Sequence, residues 1–240
     1  EIPREFDLPD FKTRKYPSMP KTSNESLYLR IREHVEFKKN AEYLAEKLNN
    51  KPNYDYIKLI DIKEIQKESA NSIDMASATI RNLLGVKTEA LESLRDNEVL
   101  NYWKAKVEGL DVLVFQFTHI NVNVTSGFVI TDLPFPLIAL NQSDSYYARV
   151  FMLIHELVHI FAKKSALCDT EILNKQRMSI ETICNKVAAS VLVPREDITS
   201  TFEEAIKKYN TIEPEVLLPY LSDNFKVSYS VILYRLKELG

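Results

Sequence analysis

Glycine is scarce in this chain: among 240 residues there are only four glycines, and no two of them are close together. The phosphate-binding loops of nucleotide-binding folds need several closely spaced glycines, and the G-x-S-x-G elbow of many serine hydrolases needs two. The sequence therefore excludes both classes of protein.

Cysteine, net charge and long apolar runs are also lacking. Two cysteines, Cys168 and Cys184, are too few for a secreted disulfide scaffold, so we expect reduced thiols in a cytoplasmic protein. A formal net charge of −3 gives no overall attraction for nucleic acid. No stretch approaches the roughly 18 apolar residues of a membrane span, and residues 1–7 do not resemble the start of a signal peptide. We expect no contact with a membrane.

Helical spacing of apolar residues dominates both ends of the chain, and short strand-like runs occupy its middle. After an extended arm over residues 1–25, helices are predicted at about 25–48, 61–84 (ending at Gly85), 88–107, 147–163 and 179–193, with three short ones in the last forty residues. Strands are predicted at 111–117, 127–131 and 137–140, and the second of these suits a sheet edge.

This order of elements predicts an α+β fold. We expect a small three-stranded sheet, antiparallel at least in part, packed on the helix over 147–163 and surrounded by other helices. We place an N-terminal arm and helical region at residues 1–90, a core domain at 91–200 and a C-terminal helical subdomain at 201–240.

Residues 155–159 read His-Glu-Leu-Val-His. In a helix, residues four apart lie one turn above each other on the same face, so His155 and His159 can share one metal ion. This is the zincin pattern, in which two histidines bind Zn²⁺ and the intervening glutamate, here Glu156, acts as general base. Such a metal lowers the pKa of the water that attacks the substrate.

A catalytic zinc ion usually has three protein ligands, and the sequence offers more than one candidate for the third. A class that takes a third histidine six residues after the second is excluded, because that position is Ser165. Glu181 is far enough along the chain for a loop and a returning helix, and Asn185 lies one turn after it, where an amide can hold a ligand histidine. Glu171 and Asp169 are rivals, although both lie in what reads as the connecting loop.

Two paired motifs resemble those of the ImmA/IrrE-type metallopeptidases. The first is His155 to His159, and the second is Glu181-x-x-Cys184-Asn185-x-x-Ala188-Ala189-x-x-Leu192-x-Pro194. Upstream, Leu8-Pro9-Asp10-Phe11-Lys12-Thr13 is close to a segment that often joins this domain to an N-terminal helix-turn-helix, so the resemblance covers nearly the whole chain. The departures, among them Cys184 for alanine and Val158 where glycine is common, remove no ligand.

The resemblance implies a zincin-like minimal domain with Zn²⁺ on His155, His159 and Glu181, and with Glu156 catalytic. It implies a protein substrate, a helix-turn-helix repressor, which is cleaved to relieve transcriptional repression during stress or mobile-element induction. The segment at 8–13 leads us to expect that this chain is the C-terminal part of a fusion with an upstream helix-turn-helix domain.

Several other residues have a possible role that the sequence alone does not decide. Cys184 lies near the face of Glu181, but we interpret it as a small buried thiol rather than a ligand. Cys168 lies in a polar loop, where a redox or metal role is the minor alternative. A zincin needs a donor for the oxyanion that forms on attack, and nothing selects among Tyr146, Tyr147, Arg149 and His119.

Residues 221–236 resemble a helix-turn-helix, with Ser228 as an N-cap. The second helix offers only Arg235 and Lys237 as basic residues, both near its end, so we expect a structural or partner-docking role rather than direct DNA binding.

Two rival functions remain at this stage. One is a zinc-binding regulatory module that acts through a missing upstream domain, and the other is a toxin–antitoxin component that binds its partner without cutting it.

Overall fold

A computed structural model describes residues 21–60, 65, 70–165 and 173–240. Its helices, numbered in chain order, are α1 Lys21–Lys47, α2 Ala70–Leu84, α3 Thr88–Glu92, α4 Asp96–Glu108, α5 Tyr146–Ser165, α6 Leu173–Leu192, α7 Arg195–Tyr209, α8 Pro214–Phe225 and α9 Tyr229–Leu239, with a 3₁₀ helix at Asp55–Leu59. The strands are β1 Leu113–Phe117, β2 Gly127–Ile130 and β3 Leu137–Asn141. The predicted α+β fold, a small sheet among helices with a zincin-like core, is confirmed.

The three strands lie in the order β1–β3–β2. β1 runs parallel to β3, with Val114 opposite Ile138, whereas β2 runs antiparallel to β3, with Val129 opposite Ile138. The predicted edge position of the second strand is therefore confirmed, and the sheet is antiparallel in part.

Each face of the sheet packs against a different helix because side chains alternate along every strand. Val129 and Ile138 point to one face and join the large core that includes α5. Phe117 and Phe128 point to the other face and join Leu27 of α1 in a smaller core. Helix α1 therefore covers the face of the sheet opposite to α5.

The prediction of a single helix over 88–107 is wrong, because the structure has two helices there. Helix α3 ends at Glu92 and α4 begins at Asp96. The Arg95 backbone N–H donates to Glu98 Oε2 at 2.9 Å, which makes a new helix start that the helical spacing of apolar residues does not reveal. The predicted arm over 1–25 is wrong at its end, because α1 already begins at Lys21. Residues 1–20 and most of 61–69 lie outside the described residues. Among the described helices, none has the length and hydrophobicity needed to cross a bilayer.

His34 is buried between α1 and the sheet, with only 2% of its surface exposed. Its Nδ1–H donates to the carbonyl oxygen of Arg30 at 2.6 Å, and no hydrogen-bond partner contacts Nε2. Rings of Phe115 and Phe128 surround it edge-on, at 5.7 and 5.5 Å between ring centroids. Burial lowers the pKa of His34, so the folded protein holds this imidazole neutral.

The stability of the fold is therefore expected to fall as the pH drops below about 6.5, the ordinary pKa of histidine. The unfolded chain binds a proton at His34 more readily than the folded chain, so acid favours unfolding. Urea unfolding at about pH 7.5 and about pH 5.5, on either side of that pKa, should show a smaller pH effect for His34→Phe than for the unmodified protein. An equal pH effect in both proteins would show that His34 does not contribute.

Arg235 is buried at the centre of a polar network, with 2% of its side chain exposed. Its Nη2 donates to Asp74 Oδ1 at 2.6 Å and to Ser190 Oγ at 2.9 Å, and its Nε donates to the Val193 carbonyl oxygen at 2.9 Å. The network ties α9 to α2 and to the end of α6. Of the two basic residues of the second helix of the helix-turn-helix-like segment, Arg235 is therefore unavailable to DNA, whereas Lys237 is exposed.

Replacing Arg235 with methionine is expected to lower the free energy of unfolding by about 1–3 kcal/mol. The Val193 carbonyl oxygen loses its buried donor, and Asp74 loses one of its two arginine partners while it keeps Arg195. Lys237→Met on the same helix is the matched control, with an expected change within about 0.5 kcal/mol. Chemical denaturation measures both. A loss from Arg235→Met no larger than that of the control would contradict the structural role of the network.

Candidate metal centre

Helix α5 places His155 and His159 one turn apart beneath the sheet. The sequence forms a helix here because Leu153, Ile154, Leu157 and Val158 supply a continuous apolar surface, and all four are fully buried. His155 has no exposed surface and His159 has 8%. Both imidazoles are therefore held in a largely water-free position, with Glu156, at 1% exposure, between them in sequence.

Helix α6 packs along α5 and brings Glu181 to the two histidines. Glu181 Oε1 lies 3.0 Å from His159 Nε2, and Glu181 Oε2 lies 3.3 Å from His155 Nε2. The two Nε2 atoms are 3.1 Å apart. In the described part of the chain these three residues are the group whose ligand atoms come together, all within 4.8 Å of one another.

The chemistry and spacing of these donors fit a zinc ion. Zinc takes imidazole nitrogen and carboxylate oxygen at about 2.0–2.2 Å in a tetrahedron, which sets ligand atoms about 3.3 Å apart. The observed separations of 3.0 to 3.3 Å match that edge length. Three protein donors leave one corner of a tetrahedron for water or substrate, and the Glu181 side chain is 34% exposed, so the site is open to solvent on that side.

Charge in the site also favours a cation. Burial alone would raise the pKa of Glu181, but hydrogen bonds with His155 and His159 outweigh it and hold that pKa well below its usual range. Glu181 is thus an ionised carboxylate at neutral pH, ready to act as a ligand. Burial alone would lower the pKa of His159, whereas hydrogen bonds with Cys184 and Glu181 raise it above its usual value, so this imidazole must release a proton to bind a metal ion.

The remaining residues of the second motif follow Glu181 along α6. Cys184 is fully buried, and burial raises the pKa of its thiol, which fits the predicted small core residue. Its sulfur is not one of the clustered ligand atoms. Asn185 is half-buried one turn after Glu181, and its predicted support of a ligand histidine stays a prediction. Glu171, Asp169 and Cys168 lie outside the described residues.

Three of the four candidate oxyanion donors are engaged elsewhere. Tyr147 donates to Asp96 Oδ1 at 2.6 Å, Arg149 donates to Gln116 Oε1 at 2.6 Å, and His119 Nδ1 is 2.6 Å from the Thr118 hydroxyl. Tyr146 is 46% exposed, and the Arg149 guanidinium lies over its ring. None of these contacts involves His155, His159 or Glu181, so they do not select one of the four residues as the oxyanion donor.

Edge strand β2 lies against α5, close enough that only glycine fits at its first position. A Cβ atom on Gly127 would come within 2.8 Å of Met152 Cγ and 2.9 Å of the Ala139 carbonyl oxygen. The absence of a side chain there lets the edge of the sheet approach the helix that carries His155. The sequence predicted Gly127 as the first residue of the second strand but did not reveal this close approach to the helix.

Phe151 is a neighbour of the site that was not among the predicted site residues. It is half-buried, and its ring centroid lies 6.3 Å from that of His155. The available signal was its position one turn before His155 on the same helix face.

A helix bearing the His-Glu-x-x-His motif, a second helix that supplies a carboxylate and an adjacent edge strand together define the zincin-like class of metallopeptidase domains. Residues 106–237 match the family profile described as Peptidase_M78, IrrE N-terminal-like domain. The chain therefore belongs to this metallopeptidase family, as the paired motifs predicted.

Curated protein sequences and solved structures were also compared with this chain. Among curated protein sequences, none is similar enough to this chain to count as a match. One solved structure that resembles it is described as a Mycobacterium tuberculosis transcriptional regulator, with 12% sequence identity and a TM-score of 0.48. That likeness covers 77% of this chain and 52% of the other, so this chain spans about half the length of the solved structure.

Proposed function

We propose that this protein is a zinc-dependent endopeptidase in which His155, His159 and Glu181 hold the metal and Glu156 is the general base. The observation that carries the proposal is the convergence of these three ligand atoms within 4.8 Å, from two different helices. If the two histidines were only core residues, nothing would require a carboxylate from another helix to face both of their Nε2 atoms.

The metal supplies Lewis-acid chemistry when bound: it polarises the peptide carbonyl and lowers the pKa of the attacking water. Glu156 takes a proton from that water and passes it to the departing amine. Its position directly after His155 and its burial keep the carboxylate beside the reacting atoms and away from bulk solvent. The α5 and α6 side chains thus bind the metal, hold the proton and limit the entry of water.

We further propose that the substrate chain adds to β2 as an extra strand. The Asn141 backbone N–H donates to the Ser126 carbonyl oxygen at 2.9 Å. This pair of opposite residues, and every second pair along β2 after it, therefore forms the hydrogen bonds between β2 and β3. The backbone groups of Gly127 and Val129 therefore point away from β3. Thr125 Oγ1 donates to the Gly127 carbonyl oxygen at 2.6 Å, which leaves Val129 as the outward-facing position for a substrate.

The proposed substrate is a helix-turn-helix repressor, and cleavage of it relieves transcriptional repression. This part of the proposal depends on the family, whose members resemble this chain in both motifs. A cytoplasmic location fits such a substrate and fits Cys184, a free buried thiol.

The test is incubation of the zinc-loaded protein with a helix-turn-helix repressor from the same genome, followed by mass spectrometry of the products. Cleavage at a defined bond that stops on zinc removal and resumes on zinc addition is the expected result. An intact repressor that forms a stable complex on a sizing column would instead support a module that binds its partner without cutting it.

Val129→Pro tests the strand-addition step. Proline removes the outward N–H and leaves the β2–β3 hydrogen bonds in place, so zinc content should persist while KM rises roughly threefold to tenfold, the value of one backbone hydrogen bond. Phe128→Pro is the matched control, because its N–H points into the sheet and its loss should destabilise the fold. An unchanged KM in a folded Val129→Pro variant would rule out docking at this position.

A further inference from the structure

Arg149, on the first turns of α5, is a buried cation with an incomplete set of partners. Only 7% of the residue is exposed. Its Nη1 donates to the neutral amide oxygen of Gln116 at 2.6 Å, and its Cζ lies 4.7 Å from the centroid of the Tyr146 ring. Its Nε is buried and has no hydrogen-bond partner.

This set of contacts leaves one edge of the guanidinium unused. Arginine has five N–H donors in a planar fork, and carboxylates bind two of them side by side. Within the described residues, Gln116 is the hydrogen-bond acceptor of Arg149, and no carboxylate forms a salt bridge with it. A buried charge is costly unless it is paired, so the free Nε edge is suited to an anion that comes from outside the chain.

The start of α5 adds a second attraction for an anion. Helix α5 has 20 residues and no acidic residue in its first turn. The Ser145 hydroxyl caps its start by accepting from the Ala148 N–H at 3.2 Å, and Asp144 precedes it, so the helix dipole adds only a modest attraction for an anion. A four-residue loop joins β3 to this helix, and the Arg149 hydrogen bond connects the helix to Gln116 of strand β1. Tyr146, 46% exposed, lies between the guanidinium and the solvent.

We propose that Arg149, Gln116 and the first turn of α5 form a binding site for a single carboxylate group. A polyphosphate fits less well, because the preceding loop, Gln142 to Ser145, contains no glycine, and Asp144 repels a multiply charged anion more strongly than a single carboxylate. The carboxylate belongs either to a small free acid or to an acidic side chain of a polypeptide. Both present the same planar, singly charged group to the fork of Arg149.

This site is separate from the metal centre. Arg149 precedes His155 by six positions on α5, a rise of about 9 Å, and the two side chains leave the helix in different directions at about 100° per residue. The inference therefore does not depend on the proposed peptidase activity. A ligand at Arg149 contacts the same helix that carries His155 and Glu156.

The test follows the Nε–H resonance of Arg149 by ¹H–¹⁵N NMR on the 240-residue protein, with and without added zinc. The resonance is identified by its loss in Arg149→Lys. The probes are sodium acetate, neutral acetamide and sodium chloride at constant ionic strength. Two blocked tripeptides, Ala-Glu-Ala and Ala-Gln-Ala, distinguish a polypeptide source from a small free acid.

The expected result is a saturable shift with acetate and none with acetamide or chloride. A further shift with Ala-Glu-Ala but not Ala-Gln-Ala would assign the site to polypeptide carboxylates, and its absence would assign it to small acids. Gln116→Glu places a carboxylate of matched size beside the guanidinium, so it should raise the unfolding temperature and abolish the acetate shift. No acetate shift in the unmodified protein, or an equal shift with chloride, would overturn the proposal.

Discussion

Glu156→Gln is expected to reduce peptide cleavage by about 10²–10⁴-fold, the usual contribution of a general acid–base group. The amide keeps the size of the side chain but cannot accept the proton of the attacking water or return it to the amine. Because Glu156 is not among the three clustered ligand atoms, the variant should retain its zinc. Cleavage rate and metal content are measured on the same preparation.

Glu203→Gln, at an exposed position on α7, is the matched control and should cleave at the unmodified rate. A folded, zinc-loaded Glu156→Gln variant that cleaves as fast as the control would contradict the assignment of the general base. Loss of cleavage together with loss of zinc would show instead that Glu156 supports metal binding.

Removal of any one of His155, His159 and Glu181 is expected to weaken zinc binding by more than about 100-fold, since residues that only support a ligand already contribute about 10–100-fold. Alanine at each position deletes one of the three donors that lie within 4.8 Å of one another. Competition with a chromophoric chelator gives the affinity of each variant.

Glu171→Ala and Asp169→Ala are the decisive controls, because both residues competed with Glu181 in the sequence. Both variants should bind zinc as the unmodified protein does. Retention of zinc by Glu181→Ala with loss in either control would place the third ligand in the segment between α5 and α6.

The sequence predicted the strands and most helices because their periodicities are strong. The three apolar runs after Gly109 correspond to β1, β2 and β3, and the helix over 147–163 corresponds to α5. The break between α3 and α4 was missed because a hydrogen bond between Arg95 and Glu98 determines it, and apolar spacing carries no information about that bond. The predicted domain limits at 90 and 200 stay predictions.

The clustering of His155 and His159 followed from helix geometry alone, whereas the approach of Glu181 depends on how α6 packs on α5. The sequence offered three carboxylates for that role, and the contacts of Glu181 with both Nε2 atoms are what the fold adds. Long-range contacts were beyond sequence reasoning for the same reason. Arg235 and Asp74 are far apart in sequence, so nothing local marked Arg235 as a buried partner of a carboxylate.

The most direct test of the account is the zinc content of the unmodified protein, measured by mass spectrometry after reconstitution and removal of loosely bound metal. The account predicts about one zinc ion per chain, as a single three-ligand site requires. A folded protein that retains no zinc under these conditions would contradict the proposed metal centre, and with it the peptidase mechanism.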